Sequence, residues 1–239
     1  MAGGADLRHG SGFLVLTCGS AALLLAFYLL AAVAARLLGP PWNGLAMALD
    51  PARARSPVDL CGLVQLGMAS ASLLLASHVR GCPHLRLLAL LPGVLLLADA
   101  TDMISRLTAL CRGGVLGPAA KLAAGTVIGG MALLPACLLW RSAREQHRSL
   151  AARLLCLLLP AGPVLLGLDA AGGWCHRLGM SGIVAHSLAV LEESGETLLY
   201  AVLTSTILGA VVEFGQESLD MRLYCRAGSS EKRRPSLGP

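Results

Sequence analysis

Six long apolar stretches set the strongest limit on what this chain can fold into. A helix needs about 20 residues to cross a hydrocarbon layer of about 30 Å. Lipid offers the backbone no hydrogen-bond partner, so a long unbroken apolar segment must satisfy its own amides and carbonyls as a helix. The predicted spans lie near residues 13–35, 58–79, 85–108, 116–140, 150–170 and 185–212. The sequence therefore predicts an all-α fold, a polytopic transmembrane helical bundle of about six spanning helices.

The composition supports a membrane protein over a soluble one. Hydrophobic residues make up 55% of the 239 residues and charged residues 14%, against about 25% charged residues in ordinary soluble domains. The net charge of +5 could suggest nucleic-acid binding, but the basic residues lie in the connections and at the C-terminal end. Membrane topology accounts for that distribution. We therefore expect the lipid bilayer, and no nucleic acid, as the partner.

The connections between the spans contain helix-breaking and polar residues. Residues 39–57 hold four prolines and are predicted to form a loop, and residues 81–83 are predicted to form a tight turn. The bundle is predicted to occupy residues 1–215. Residues 216–239 are polar and basic, and we expect them to form a disordered cytoplasmic tail.

The distribution of Lys and Arg predicts the orientation. Cytoplasmic connections carry an excess of these residues in membrane proteins. The side that holds both termini has the larger number, mainly because the C-terminal tail contains Arg222, Arg226, Lys232, Arg233 and Arg234. We therefore expect a multi-pass protein of a plasma or inner membrane, with both termini in the cytoplasm.

Acidic residues inside the predicted spans are the main candidates for a functional site. Residues three or four apart share one face of a helix, as Asp99 and Asp102 would in the third span and Glu192 and Glu196 in the sixth. An acid at mid-membrane costs about 2.5 to 3.5 kcal/mol on insertion scales, so such groups are often functional. The predicted ion-binding or proton-relay residues are Asp99, Asp102, Glu192, Glu193 and Glu196.

Several residues could complete this site from the same side of the membrane. They are Lys121, Arg106, His176, His186 and Asp169. Carboxylates together with a histidine could hold a divalent metal ion, so a metal site is one interpretation. The other interpretation is structural: Asp99 and Asp102 form ion pairs that lock helices together, while the glutamates favour the positive end of a helix dipole.

Small residues and cysteines leave two structural questions open. Gly125 and Gly129 are spaced for close helix packing, either within the chain or across a homo-oligomer. Cys111 and Cys175 both fall near the outer boundary of the bundle, where an oxidising compartment would allow a disulfide.

Prolines interrupt the fifth span at Pro160 and Pro163. They could produce a discontinuous helix of the kind that lines transporter sites, but ordinary kinks are the more common result.

Three classes of function remain open. The first is a small transporter or channel in which the carboxylates bind a cation or carry protons. The second is an intramembrane metal-dependent hydrolase. The third is a membrane scaffold without catalytic activity. We favour transport, because the last span continues beyond Glu196 with a thin stripe of hydroxyl groups. These belong to Thr197, Tyr200, Thr204, Ser205 and Thr206.

Overall fold

The fold comes from a computed structural model, which describes residues 6–53, 55–110, 117–142, 145–180 and 182–231. The described residues are helical apart from short turns and contain no strand. The helices are α1 (Asp6–Leu38), α2 (Pro40–Leu49), α3 (Pro57–Arg80), α4 (Pro83–Ala100), α5 (Met103–Leu110), α6 (Gly117–Ser142), α7 (Glu145–Arg177) and α8 (Gly182–Glu231).

The predicted all-α bundle with six spans is confirmed. Within the described part of the chain, six helical segments are long and apolar enough to cross a membrane. They are Gly12–Leu38, Pro57–Arg80, Pro83–Ala100, Ala119–Arg141, His147–Cys175 and Gly182–Gln216. Large apolar side chains such as Leu30, Leu75 and Val164 are more than half exposed on the bundle surface, where a bilayer would surround them. These features support a multi-pass membrane protein in contact with lipid.

The first connection contains a helix where the sequence predicted a loop. Residues Pro40–Leu49 form α2, with two prolines in its first turn. A proline there removes only an amide that has no partner within the helix, and its fixed φ suits helical backbone. Reading these prolines as loop signals was therefore wrong for this segment.

The third span is shorter than the sequence predicted, because α4 ends at Ala100. The Thr101 hydroxyl and the Thr101 amide both donate to the Leu97 carbonyl, at 2.6 and 3.1 Å, and Asp102 follows with a φ of 49°. A positive φ ends helical geometry. The prediction that Asp99 and Asp102 share one helical face is therefore wrong.

Two later helices also differ from expectation. The last span reaches Gln216, but α8 continues as helix to Glu231, where we expected disorder. The prolines at 160 and 163 do not divide α7, which runs unbroken from Glu145 to Arg177. The alternative of a discontinuous fifth span is therefore not found.

The core lies where α3, α4, α7 and α8 meet. One apolar cluster fills it, and its fully buried leucines include Leu66, Leu73, Leu88, Leu154 and Leu203. Buried hydrogen bonds attach helix α1 to this core. The Thr17 hydroxyl donates to the Ala201 carbonyl of α8 at 3.1 Å. The side-chain amide of Gln65, on α3, donates to the Thr17 carbonyl at 3.2 Å.

Gly125 packs within the chain. A side chain at this position would collide with Leu166 of α7, whereas Gly129 has no atom within 4 Å of its would-be Cβ. Gly125 thus allows α6 and α7 to approach each other. The homo-oligomer contact through Gly125 and Gly129 stays a prediction; Gly125 is buried against α7, whereas Gly129 has open space beside it.

Candidate functional site

Acidic side chains from four helices meet at one end of the bundle. The antiparallel arrangement places the start of α3, the end of α4, the end of α7 and the first turns of α8 at this end. Each of the carboxylates is half-buried. We call this group the acidic cluster; it consists of Asp59, Asp99, Asp169, Glu192, Glu193 and Glu196.

The carboxylates are close enough to interact electrostatically. Glu196 interacts with Glu193, Asp99, Glu192 and Asp169, and Glu193 interacts also with Asp59. Like charges in a partly desolvated site repel much more strongly than they do in water. The acidic cluster is therefore a place where a bound proton or cation would relieve repulsion.

One lysine offsets part of this negative charge. Lys121 Nζ of α6 lies 2.7 Å from Asp169 Oδ1 of α7, and the two side chains are 35% and 19% exposed. Lys121 also interacts with Glu192 and Glu193. Two of the partners that the sequence suggested thus lie together at the edge of the cluster, paired with each other.

Tyr200 lies one turn deeper in the bundle and contacts the cluster. It interacts with Asp99, and its ring lies against Gly62 of α3, where a Cβ would be 3.0 Å from the ring. The Thr197 hydroxyl, also on α8, donates to the Glu193 carbonyl at 3.0 Å. Helices α3, α4 and α8 therefore share a polar layer directly beneath the carboxylates.

Asp59 is a member of the cluster that the sequence analysis missed. Ser56 caps α3, and its Oγ accepts from the Asp59 amide (3.1 Å), while Asp59 Oδ2 accepts from the Arg55 amide (2.8 Å). A serine followed by an acid three residues later resembles the capping-box signature of a helix start. That signal would have placed Asp59 at the membrane boundary, level with the acids of α8.

Asp102 and Arg106 lie at the rim. Both side chains are exposed, and the Arg106 amide donates to the Asp102 carbonyl at 3.0 Å. Asp102 interacts electrostatically with Asp99 from outside the bundle. The structure therefore separates Asp99, which is half-buried, from Asp102, which faces solvent.

The histidines that were considered as partners do not join the cluster in the described structure. His186 Nε2 lies 3.4 Å from the Tyr28 hydroxyl and 3.7 Å from Asp50 Oδ2, so it belongs to the α1 side of the bundle. The side chain of His176 lies outside the described residues, and so does Cys111, the suggested disulfide partner of Cys175. Cys175 itself is a free thiol in the structure. Among the described side chains, no three of His, Cys, Asp or Glu are grouped so that they could hold a metal ion.

Below Tyr200 the polar groups give way to an apolar layer. The Thr204 hydroxyl donates to the Gln65 carbonyl (2.9 Å), and Gln65 Oε1 is buried without a hydrogen-bond partner. Leu66, Leu203 and Ile207 lie at the next level and are fully buried. The acidic cluster is therefore closed off from the other end of the bundle in this conformation.

The opposite end of the bundle has a different character. Arg80, Arg86, Arg141 and Arg148 lie there, at the ends of α3 and α6 and the starts of α4 and α7. Within this basic end, a cysteine thiol and a histidine ring form a close contact that the sequence analysis did not identify.

Compared with protein-family models, with curated proteins and with solved structures, the chain matches none of them. Its function is therefore inferred from its own residues.

Proposed function

We propose that this protein binds a proton or a small monovalent cation at the acidic cluster and carries it across the membrane. The observation that supports this function is the convergence of six half-buried carboxylates from α3, α4, α7 and α8 in an apolar bundle. Lys121 pairs with only one of them, Asp169. The remaining negative charge is stabilised when a proton or a cation binds.

The closed apolar layer favours a carrier over an open channel. A channel needs a continuous wet path, and the fully buried Leu66, Leu203 and Ile207 leave none below Thr204. A carrier exposes its site to one side at a time, and neutralising the acids lowers the cost of moving them into an apolar setting. Occupation of the acidic cluster would thus permit the helices to rearrange.

The charge asymmetry supports an orientation for this carrier. The basic end, with Arg80, Arg86, Arg141 and Arg148, faces the cytoplasm in our proposal, and the acidic cluster opens to the opposite side. With this orientation both termini lie in the cytoplasm. The cluster then collects cations from the outer solution.

Flux measurements on purified protein in liposomes test the function. A pH-sensitive dye inside the vesicles reports proton flux. Vesicles loaded with sodium or potassium report the flux of each cation through its release into the outer solution. We expect Asp99→Asn and Glu196→Gln to reduce the flux of the transported ion by at least about tenfold, since each removes a charge from within the cluster. The matched control is Asp102→Asn, which removes a neighbouring but exposed carboxylate.

A second control separates the acidic cluster from the rest of the bundle. Glu213 lies at the basic end, 4.0 Å from Arg153, so Glu213→Gln should leave the flux unchanged. Equal flux from empty and protein-containing liposomes for all three ions would overturn the proposal and leave a structural role for the cluster. Loss of flux in Asp102→Asn but not in Asp99→Asn would overturn the assignment of the site.

A further inference from the structure

A thiol and an imidazole lie in contact at the basic end of the bundle, far from the acidic cluster. Cys82 Sγ is 3.2 Å from His147 Nε2, although the two residues are 65 positions apart in the chain. When Nε2 carries no proton, it accepts the hydrogen of the thiol. A thiol beside a histidine base is the arrangement that activates cysteine nucleophiles. We call these residues the thiol–imidazole pair.

The backbone around Cys82 is held firmly. Cys82 is the N-cap of α4 and precedes Pro83, the first residue of that helix. Its amide donates to the Ser77 carbonyl (3.1 Å), and its carbonyl accepts from the Ser77 hydroxyl (2.9 Å). Arg86 Nε in turn donates to Ser77 Oγ at 3.1 Å. The sulfur therefore sits at the N-terminal, positive end of the α4 dipole, held by a fixed turn.

The histidine ring is positioned by aromatic packing. The His147 ring meets Phe214 of α8 edge to face, with 5.3 Å between centroids, and His84 lies 6.0 Å away. The Arg80 guanidinium lies over the ring of the same Phe214, 5.6 Å from its centroid. The imidazole thus keeps its orientation towards Cys82 through contacts with α4 and α8.

The pair lies where the spans leave the membrane. Two spans flank Cys82, one ending at Arg80 and one starting at Pro83, and a third span starts at His147. Cys82 is half-buried, and Val79, one turn before it on α3, is 72% exposed on the apolar surface. A substituent on the sulfur could therefore extend along α3 into lipid, while Arg86 and Arg148 provide positive charge for an anionic donor.

We propose that Cys82 is a site of S-acylation, which takes a fatty acyl chain from a long-chain acyl-coenzyme A thioester with His147 as the base. His147 Nε2 takes the thiol proton, and the sulfur attacks the thioester carbonyl carbon. The bond from that carbon to the coenzyme A sulfur breaks. Coenzyme A leaves as a thiol after receiving the proton from the imidazolium, so one thioester replaces another and no oxidant is needed.

The position of Cys82 at the membrane boundary favours S-acylation over other reactions of a thiol. Cysteines next to membrane spans are typical sites of reversible acylation. Each buried methylene of an acyl chain adds to membrane affinity, so a chain attached at the boundary gains most of its stabilisation from the adjacent lipid. This inference does not depend on the proposed transport function.

The test uses the full-length protein in lipid nanodiscs, incubated with palmitoyl-coenzyme A near neutral pH. We expect intact mass spectrometry to show one added palmitoyl group, removable by hydroxylamine and mapped to Cys82. The Cys156→Ser variant is the matched control, because Cys156 is an exposed thiol on the lipid-facing side of α7. Its replacement should leave the labelling rate unchanged. The Cys82→Ser variant should show no label.

A pH profile distinguishes a role of His147 as a general base from a purely structural role. We expect His147→Gln, which keeps a polar side chain of similar size, to slow labelling by about 10²-fold near pH 7. At about pH 9.5, where hydroxide ionises thiols without a base, the variant should approach the wild-type rate. Labelling of Cys156 as fast as Cys82, no labelling of Cys82, or an unchanged rate in His147→Gln near pH 7 would each overturn the proposal.

Discussion

Lys121 and Asp169 form an ion pair 2.7 Å long that joins α6 to α7 beside the acidic cluster. Asp169 faces the glutamates of α8, and Lys121 interacts with Glu192 and Glu193. Lys121 therefore forms a close ion pair with Asp169 and is also attracted, more weakly, to the two glutamates. Its removal should affect stability and, in the proposed function, the affinity of the cluster for cations.

Lys121→Met should lower the free energy of unfolding by about 1 to 2 kcal/mol, because it leaves Asp169 half-buried without its cation. The double variant Lys121→Met with Asp169→Leu should regain most of this loss, since no unpaired charge remains. Unfolding of the purified protein in mixed micelles, followed by circular dichroism, measures both variants. A double variant no more stable than the single one would show that the ion pair is not the source of the stabilisation.

Gly125 and Gly129 offer a matched comparison of helix packing. Gly125→Val should destabilise the bundle by about 1 to 3 kcal/mol, because the new side chain collides with Leu166. Gly129→Val introduces the same residue one turn away into open space and should change stability much less. Adding Leu166→Ala to Gly125→Val should recover part of the loss in a thermal unfolding experiment. Equal effects at the two glycines would contradict the assignment of Gly125 to the α6–α7 contact.

Thr204→Val should weaken the attachment of α8 to α3 by about 0.6 kcal/mol, the typical value for a hydrogen bond between membrane helices. The substitution keeps the shape of the side chain but removes its bond to the Gln65 carbonyl. Thr206→Val is the control, because the Thr206 hydroxyl donates to the Val202 carbonyl of its own helix. Unfolding free energies that fall equally in both variants would argue against a bond between the helices.

The proposed orientation leads to a labelling prediction. In a background without the eight native cysteines, Asp102→Cys should react with a membrane-impermeant maleimide in intact cells. Ser149→Cys is exposed at the basic end and should react only after the membrane is opened. The reverse pattern would place the acidic cluster on the cytoplasmic side and overturn the orientation.

The sequence predicted the number of membrane-spanning helices because hydropathy is a local property. Each span is long enough to be recognised without knowledge of its neighbours. The ends of the spans depend on finer details, and here the predictions were wrong. Prolines at the start of α2 were read as loop residues, and the turn at Thr101 and Asp102 was read as continuous helix.

The acidic cluster and the thiol–imidazole pair illustrate what a single sequence can and cannot indicate about a site. Acids within a span are visible in the sequence, so Asp99 and Glu196 could be selected as candidates. The contact between Cys82 and His147 joins residues on different helices, and no local pattern relates them. Their proximity depends on how α4 and α7 pack, which follows from the shapes of many side chains.

The two prolines of α7 have a mechanical consequence. Neither Pro160 nor Pro163 has an amide hydrogen, so the carbonyls of Cys156 and Leu159 receive no bond from four residues ahead. The middle of α7 is therefore less stiff than the rest of the helix. The arm that carries Asp169 is able to bend away from the arm that carries His147, so that motion at the acidic end leaves the opposite end of the protein in place.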